Sequence, residues 1–314
     1  MRSDNNRSNS RWLPVWRWLV SVTVLGLLLV WLNPGAIMGQ VRQIDPRWLL
    51  AALAVSVVQI LLSAWRWRFT ALKLDLTLPW RQAVSEYYLA GFINQVLPGG
   101  VLGDAWRARR HAISTDRTGP AWRAVIIERA SGQLVVCMAA MGILVSTPLW
   151  REALVGTWGR AGLPGLLLIV TTVVILAVLL LARLRPALVR TLRDDVYRAL
   201  LSPQVLPIQL LLSLLIVISY MLVFAMAARG IGIDLPFGWL LAVALPVLLA
   251  MLIPVTVAGW GLREATAAGV WLAMGLPAAQ GVVVAASYGV VVFVATLPGL
   301  LVLLARPAAP SPSY

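Results

Sequence analysis

One cysteine, Cys137, and one histidine, His111, are the only thiol and imidazole in the chain. A lone thiol excludes an intrachain disulfide, and one of each excludes a His/Cys zinc cluster. Cys137 reads as a packing thiol in an apolar run, His111 as a solvated imidazole in a basic loop. Charge is scarce at 12%, and acids are scarcer, with 12 Asp and Glu against 26 Lys and Arg. Lys73 is the one lysine, a bias that suggests a GC-rich bacterial genome. No Gly-Lys-Ser/Thr phosphate loop is present, so ATP is not expected to power the chain directly. The only adjacent acids, Asp194-Asp195, sit among Arg190, Arg193 and Arg198, where solvated ion pairs on an amphipathic helix account for them. No metal or cofactor is expected.

What the chain has instead is apolar length. Hydrophobic residues make up 60% of 314 and mean hydropathy is +0.85, which excludes an ordinary soluble domain. The strongest apolar windows are Trp18–Pro34, Trp48–Trp65, Arg123–Val145, Leu163–Ala182, Val205–Ala228 and Gln280–Ala305. Each approaches or exceeds the roughly 20 residues that cross a bilayer. The class is therefore an all-α polytopic membrane protein. Residues 1–15 read as a basic cytoplasmic tail, 16–305 as a single transmembrane domain, and 306–314 as a disordered tail. Four arginines before the first window resemble a signal sequence, but no small-x-small cleavage site follows, so it reads as an uncleaved first helix. Many of the 15 tryptophans fall at window ends, including Trp16, Trp18, Trp48, Trp65, Trp67, Trp122, Trp150 and Trp239, as aromatic belts require.

A net charge of +14 raises the question of nucleic acid, and its distribution answers it. Nineteen basic residues fall in the tail to Arg17, Arg66–Arg81, Arg107–Arg123, Arg183–Arg198 and Arg306. The other connections hold five, Arg42, Arg47, Arg151, Arg160 and Arg229, leaving Arg129 and Arg263 within apolar segments. Such asymmetry is the positive-inside signal. It places both termini in the cytoplasm of a bacterial inner membrane, with no nucleic-acid role. Binding of anionic headgroups is a secondary role for the same charge.

Two stretches break the rules for membrane-spanning sequence in the same way: Asn94–Arg107 and Ile253–Ala265. Each runs from a proline through glycines to an acid and an arginine. Helix breakers at that depth are tolerated only where the backbone is buried in protein or lines a wet cavity. If Arg66–Arg81 and Arg107–Arg123 share a side, Gln82–Trp106 must enter and return as a re-entrant hairpin. In the second half, Gly238–Ile253 enters from the other side and Leu262–Met274 returns. Pro98, Pro254, Gly259 and Gly261 are the expected hinge or turn residues. The expectation is about six spanning helices plus two re-entrant hairpins, in an inverted-topology repeat with halves at about 16–147 and 160–305. Matched interrupted segments of this kind point to a transport site. Eight full crossings is the competing arrangement.

Three constellations can carry chemistry. Asp104 and Arg107 follow a glycine turn that opens a short helix, and a helix start offers N–H groups to an anion. Arg263 and Glu264 occupy the equivalent place in the second half. Glu128-Arg129 sits early in an apolar helix, where neighbours point about 100° apart and each needs a partner elsewhere. Expected partners are Arg263 for Glu128, and Asp104 or Glu264 for Arg129. As structure, these charges lock the hairpins. As a site, Asn94, Gln95, Gly99, Gly100, Gly103, Arg107, Arg129 and Arg263 bind a lipid headgroup, and Asp104, Glu128 or Glu264 couples protons or forms the ion pairs. The two readings are compatible.

The series Asn94-Gln95-x-Leu97-Pro98-Gly99-Gly100-x-x-Gly103-Asp104-x-x-Arg107, then Glu128-Arg129, then Pro254…Gly259-x-Gly261-x-Arg263-Glu264 resembles the lysylphosphatidylglycerol synthase transmembrane family. These are flippase-like proteins related to the membrane half of bifunctional multiple peptide resistance factors. Trp65-Arg66-Trp67 and Leu297-Pro298-Gly299 extend the likeness to about residues 15–305. Trp260, inside Gly259–Gly261, departs from the glycine-rich pattern. The resemblance implies movement of a lipid between leaflets. With no aminoacyl-transferase domain expected in this chain, it argues against lipid synthesis.

The sequence therefore reads as a lipid transporter or flippase for a phospholipid or another phosphate-bearing lipid, and not as an enzyme. Its expected partners are membrane lipids, anionic or phosphate-bearing, and a lipid-synthesis enzyme. The alternatives are an integral-membrane lipid-modifying enzyme and a non-transporting partner of an envelope-biosynthesis enzyme.

Overall fold

The computed structural model describes residues 44–97, 100–146, 183–252 and 256–305, with helical residues at 19, 22–23 and 26–27. The expected spans Trp18–Pro34 and Leu163–Ala182 lie outside the described residues wholly or in large part, as do both tails, Arg151, Arg160, Pro98, Gly99 and Pro254.

Helix α1 (Pro46–Lys73) opens with proline at its first position, and the Arg47 N–H donates to Asp45 Oδ1 at 2.9 Å. That is the usual chemistry of a helix start. Next come α2 (Trp80–Val96), α3 (Leu102–Thr115) and α4 (Thr118–Ser146). Beyond the undescribed segment, α5 (Pro186–Val196) runs into a single π-turn, Tyr197–Leu201, and then α6 (Leu206–Gly230). Helices α7 (Phe237–Ala250), α8 (Leu262–Ala273), α9 (Ala278–Thr296) and α10 (Pro298–Leu304) complete the chain. No strand occurs among the described residues. Helices α1, α4, α6 and the α9–α10 pair are each long and apolar enough to cross a membrane. The protein is an all-α polytopic membrane protein.

Helices α2, α3, α7 and α8 are shorter. At 1.5 Å per residue, α2 and α3 reach about 26 and 21 Å, and α7 and α8 about 21 and 18 Å, against a hydrocarbon core of about 30 Å. Helix α2 packs on α3, and α7 on α8, so each pair forms a helical hairpin. Their placement follows from α1 and α6, which lie antiparallel along their length. At one end the Asp45 N–H donates to the Gly230 carbonyl at 2.7 Å; at the other, Gln209 Nε2 donates to Thr70 Oγ1 at 2.9 Å. The α2–α3 hairpin begins at the Thr70 end, and Arg117 Nη1 donates to the Asp75 carbonyl at 2.8 Å, returning the chain to that end. The α7–α8 hairpin begins at the Gly230 end. The two hairpins therefore point toward each other.

Two apolar cores hold the helices. One gathers Phe224, Trp271 and Tyr288 from α6, α8 and α9. The other gathers Trp67, Leu74, Leu76 and Leu78 under α2–α4. Exposed tryptophans sit at helix starts, Trp48 on α1, Trp80 on α2, Trp122 on α4 and Trp239 on α7, the belt positions expected of a membrane protein.

Several expectations need correction. The second apolar window stops at Trp65, but α1 continues to Lys73 and buries Arg66 and Trp67. These residues belong to the core and not to a loop. His111 is buried on α3, with Nε2 3.1 Å from the Thr77 carbonyl and its ring edge-on to Trp67. Cys137 is exposed on α4 rather than packed inside. Asp194 pairs with Arg193 on the exposed surface as expected, but Asp195 is buried and takes Arg123 Nε at 2.5 Å. A second tie on this face joins Arg198 to Asp75 at 2.6 Å. The hydrogen bond from Arg198 holds the exposed Asp75 carboxyl below its ordinary range. Its small contribution is therefore present above the ordinary carboxylate pKa and is lost as pH falls through the lowered value.

The hairpin arrangement makes a labelling prediction. In a Cys137→Ala background, Thr77→Cys and Thr118→Cys react with an impermeant maleimide from one side of the membrane, and Asp234→Cys from the other. Reaction of Thr77→Cys and Thr118→Cys from opposite sides would mean that α2–α3 crosses.

Candidate functional site

The first hairpin tip is built around Asn94. Its Oδ1 accepts the Gly103 N–H at 2.8 Å, and its Nδ2 donates to Asp104 Oδ2 at 2.8 Å. One amide thus closes the N-terminus of α3, where backbone donors lack helical partners, and fixes the acid beside it. One turn on, Arg107 donates Nε to Asp104 Oδ1 at 2.9 Å and Nη2 to Glu128 Oε2 at 2.6 Å. The Arg107 guanidinium lies between the rings of Trp67 and Tyr87, 4.7 and 4.8 Å from their centroids. Glu128 Oε1 takes Arg66 through Nη2 at 2.5 Å and Nε at 3.2 Å, and Arg66 Nη1 donates to Ser213 of α6 at 3.0 Å. Arg129 reaches Asp104 and donates Nη1 to the Gly100 carbonyl at 3.1 Å.

Three guanidiniums and two carboxylates from α1, α3 and α4 form one network of formal charge +1. Counting from Lys73, Thr115 and Thr118, the helix ends on the Asp75–Arg117 side, Arg66, Arg107 and Glu128 lie about 10–15 Å inside. A charge at mid-bilayer costs about 2.5–3.5 kcal/mol on insertion scales, so mutual neutralisation is what lets the network sit there. Space for Arg66 comes from Gly132, where a Cβ would stand 2.9 Å from both Nη atoms.

The second tip is sealed. Gly261 holds φ +87°, and its N–H donates to Glu264 Oε2 at 2.7 Å. Arg263 donates Nε and Nη2 to Glu264 Oε1 at 2.9 and 2.5 Å. Its guanidinium stacks 4.5 Å from the Trp260 ring, which gives that residue a role, and 5.6 Å from Tyr288. Adjacent residues can pair here because one sits at the helix start, where its carboxylate folds back over the turn.

Between the tips lies a cavity of about 310 Å³, partly open to the exterior. Gln95, Gly100 and Asp104 from the first hairpin line it together with Thr256, Ala258 and Gly259 from the second turn. Helices α1, α4, α6 and α9 supply the rest of the wall. Arg129 is the accessible cation there, with 35% of its side chain exposed, whereas Arg66 shows 6%. Three buried wall atoms have no partner: Gln95 Oε1, Thr256 Oγ1 and Tyr288 Oη. No cluster of His, Cys, Asp and Glu able to hold a metal occurs among the described residues.

This multi-pass helical arrangement, with two opposed hairpin tips at one cavity, has a sequence counterpart. Residues 18–299 match the family described as the lysylphosphatidylglycerol synthase TM region. The chain belongs to that family. No curated protein and no solved structure matches it.

In this member of the lysylphosphatidylglycerol synthase TM family, the expected site residues divide. Asn94, Gln95, Gly100, Asp104, Glu128, Arg129 and Gly259 line the cavity, whereas Gly103, Arg107, Arg263, Glu264 and Gly261 lie behind its wall. Gly103 is unavailable to an anion because its N–H is taken by Asn94. Arg107 and Arg263 are fully buried and held by carboxylates and aromatic rings. Neither is among the residues that line the cavity. The expected Glu128–Arg263 pair does not form; Glu128 holds Arg66 and Arg107 instead. Of the two acids expected for Arg129, Asp104 is its partner. Sequence reasoning missed Arg66, Tyr87, Thr256 and Tyr288, and also the polar face of α1. That face was visible as polar residues recurring every three or four positions inside an apolar window.

Proposed function

We propose that this protein moves a lipid with an anionic, phosphate-bearing headgroup between the leaflets of a bacterial cytoplasmic membrane. The observation that carries this reading is the meeting of two opposed hairpin tips at one cavity with Arg129 on its wall. An arriving phosphate competes with Asp104 for Arg129, and Asp104 keeps Asn94 and Arg107 when Arg129 swings away. Arg129 is thus a cation whose release leaves no carboxylate stranded. The short hairpin arms support re-entry over crossing, and opposed entry is what an inverted repeat produces. Against an enzyme stands the engagement of both cavity acids: Glu128 is held by two arginines and Asp104 by Asn94 and two arginines.

The test uses proteoliposomes and a fluorescent anionic phospholipid, with dithionite quenching to follow exchange between leaflets. Wild type accelerates exchange, and a zwitterionic analogue moves more slowly. A hydrogen bond to a charged group contributes about 1.5–3 kcal/mol, so Arg129→Gln is expected to slow the anionic lipid about tenfold or more. If no lipid, including native extract, moves faster than in empty vesicles, the transport reading fails. Turnover of a lipid-linked donor would then favour a membrane enzyme, and co-purification with a synthase a partner role.

A further inference from the structure

Helix α1 carries a polar stripe through the membrane: Ser56, Gln59, Ser63, Arg66 and Thr70, all buried. The spacing alternates three and four, so the five share one face. From Ser56 to Thr70 the stripe rises about 21 Å, most of a hydrocarbon core of about 30 Å.

Part of this polarity ties α1 to α6. Arg66 donates to Ser213, Gln209 to Thr70, and Ser219 Oγ to Gln59 Oε1 at 3.4 Å. Interhelical bonds in membranes average only about 0.6 kcal/mol in double-mutant cycles, so helix pairing does not demand five polar positions. The same face has a second neighbour. Ser56, Gln59, Ser63 and Arg66 all line the cavity between the hairpin tips. The same cavity is lined by Thr256 Oγ1 and Tyr288 Oη, buried and without partners. Beyond the charged network the cavity thus offers neutral hydrogen-bonding groups, two of them unpaired hydroxyls.

We propose that the Ser56–Gln59–Ser63 face of α1 is the groove along which a lipid headgroup travels, while its acyl tails remain in the bilayer. The inference rests on the transport reading above and assigns the route to residues outside the charged network. A headgroup bound at Arg129 exchanges its hydrogen bonds stepwise with Ser63, Gln59 and Ser56 toward the Asp45 end of α1. Neutral groups suit a route, because a further cation would hold an anion rather than pass it on. Thr256 and Tyr288 supply further hydrogen bonds in the same cavity.

Two measurements on the full-length protein decide this. In a Cys137→Ala background in native membranes, Ser56→Cys and Ser63→Cys are treated with a small charged methanethiosulfonate. Val58→Cys, whose native residue is 53% exposed and outside the cavity lining, serves as the lipid-facing control. Both stripe positions are expected to react at least about tenfold faster than Val58→Cys. In proteoliposomes, Gln59→Leu is expected to slow anionic-lipid exchange about tenfold or more, while Gln59→Asn keeps most of the rate. Should Gln59→Leu fail to fold, Ser56→Leu replaces it. Equal labelling at all three positions overturns the groove, whatever the exchange rates. Fast labelling with unchanged exchange in the leucine variant also overturns it. Wild type that moves no lipid overturns the transport reading instead, and the route falls with it.

Discussion

Glu128→Ala is expected to destabilise the protein more than any other substitution in the charged network. Glu128 is 1% exposed and neutralises Arg66 with one oxygen and Arg107 with the other. Truncation leaves Arg66 with Ser213 alone and Arg107 with Asp104, which it already shares with Arg129. Removing one partner of a buried pair typically costs about 3–5 kcal/mol. The same comparison predicts a rescue: replacing a buried pair by apolar residues of similar size is often neutral. Arg66→Met with Glu128→Met should therefore melt above Glu128→Met alone, followed by tryptophan fluorescence in detergent. Strictly additive losses would show that the two residues do not interact.

Gly103→Ala is the second large effect, and its cause is space rather than charge. A Cβ at Gly103 would stand 2.0 Å from the Ala90 carbonyl oxygen and 2.7 Å from its carbon. Both belong to the α2 backbone and cannot rotate aside, so the hairpin must part. Overpacking costs about 1–3 kcal/mol and occasionally more, and this contact belongs at the upper end. Parting the arms also breaks the Asn94 bonds, so the proposed lipid exchange is expected to fall along with stability. Gly269→Ala on α8 is the control. Nothing lies within 4 Å of its would-be Cβ, and alanine in a helix interior is favoured over glycine by about 0.5–1 kcal/mol. That variant should melt at or above wild type. Equal melting of the Gly103 and Gly269 variants would mean that the α2–α3 packing is looser than described.

Helix positions were largely legible because apolar length is a one-dimensional signal. The window Arg123–Val145 lies within α4, Val205–Ala228 falls within α6 apart from its first residue, and Gly238–Ile253 and Leu262–Met274 follow α7 and α8 closely. That the two interrupted stretches form packed helix pairs was legible through their Pro-Gly breaks, with basic segments flanking the first. Arg66 was not: Trp65-Arg66-Trp67-Arg68 has the composition of a membrane interface, and only Glu128, 62 positions away, makes burial of that arginine tolerable. Partner choice failed for the same reason. Glu128 and Arg263 are both intramembrane charges, and nothing in their spacing reveals that Glu264 folds back onto Arg263. Trp260 departs from the glycine pattern because it stacks on the sealed guanidinium, a contact without a sequence period.

The break between α9 and α10 bears on how the molecule is made. Gly299, just past Pro298, lies so close to α2 that a Cβ would stand 2.2 Å from the Tyr88 carbonyl oxygen. Helix α10 thus braces the first hairpin, although it is synthesised long after α2. About 210 residues separate Tyr88 from Pro298, a delay of about 10–40 s at translation rates of about 5–20 residues per second. Through that interval α2 has been made but the helix that packs across Tyr88 has not. The first hairpin is then not a folding unit in its own right: one of its packing surfaces arrives only with α10.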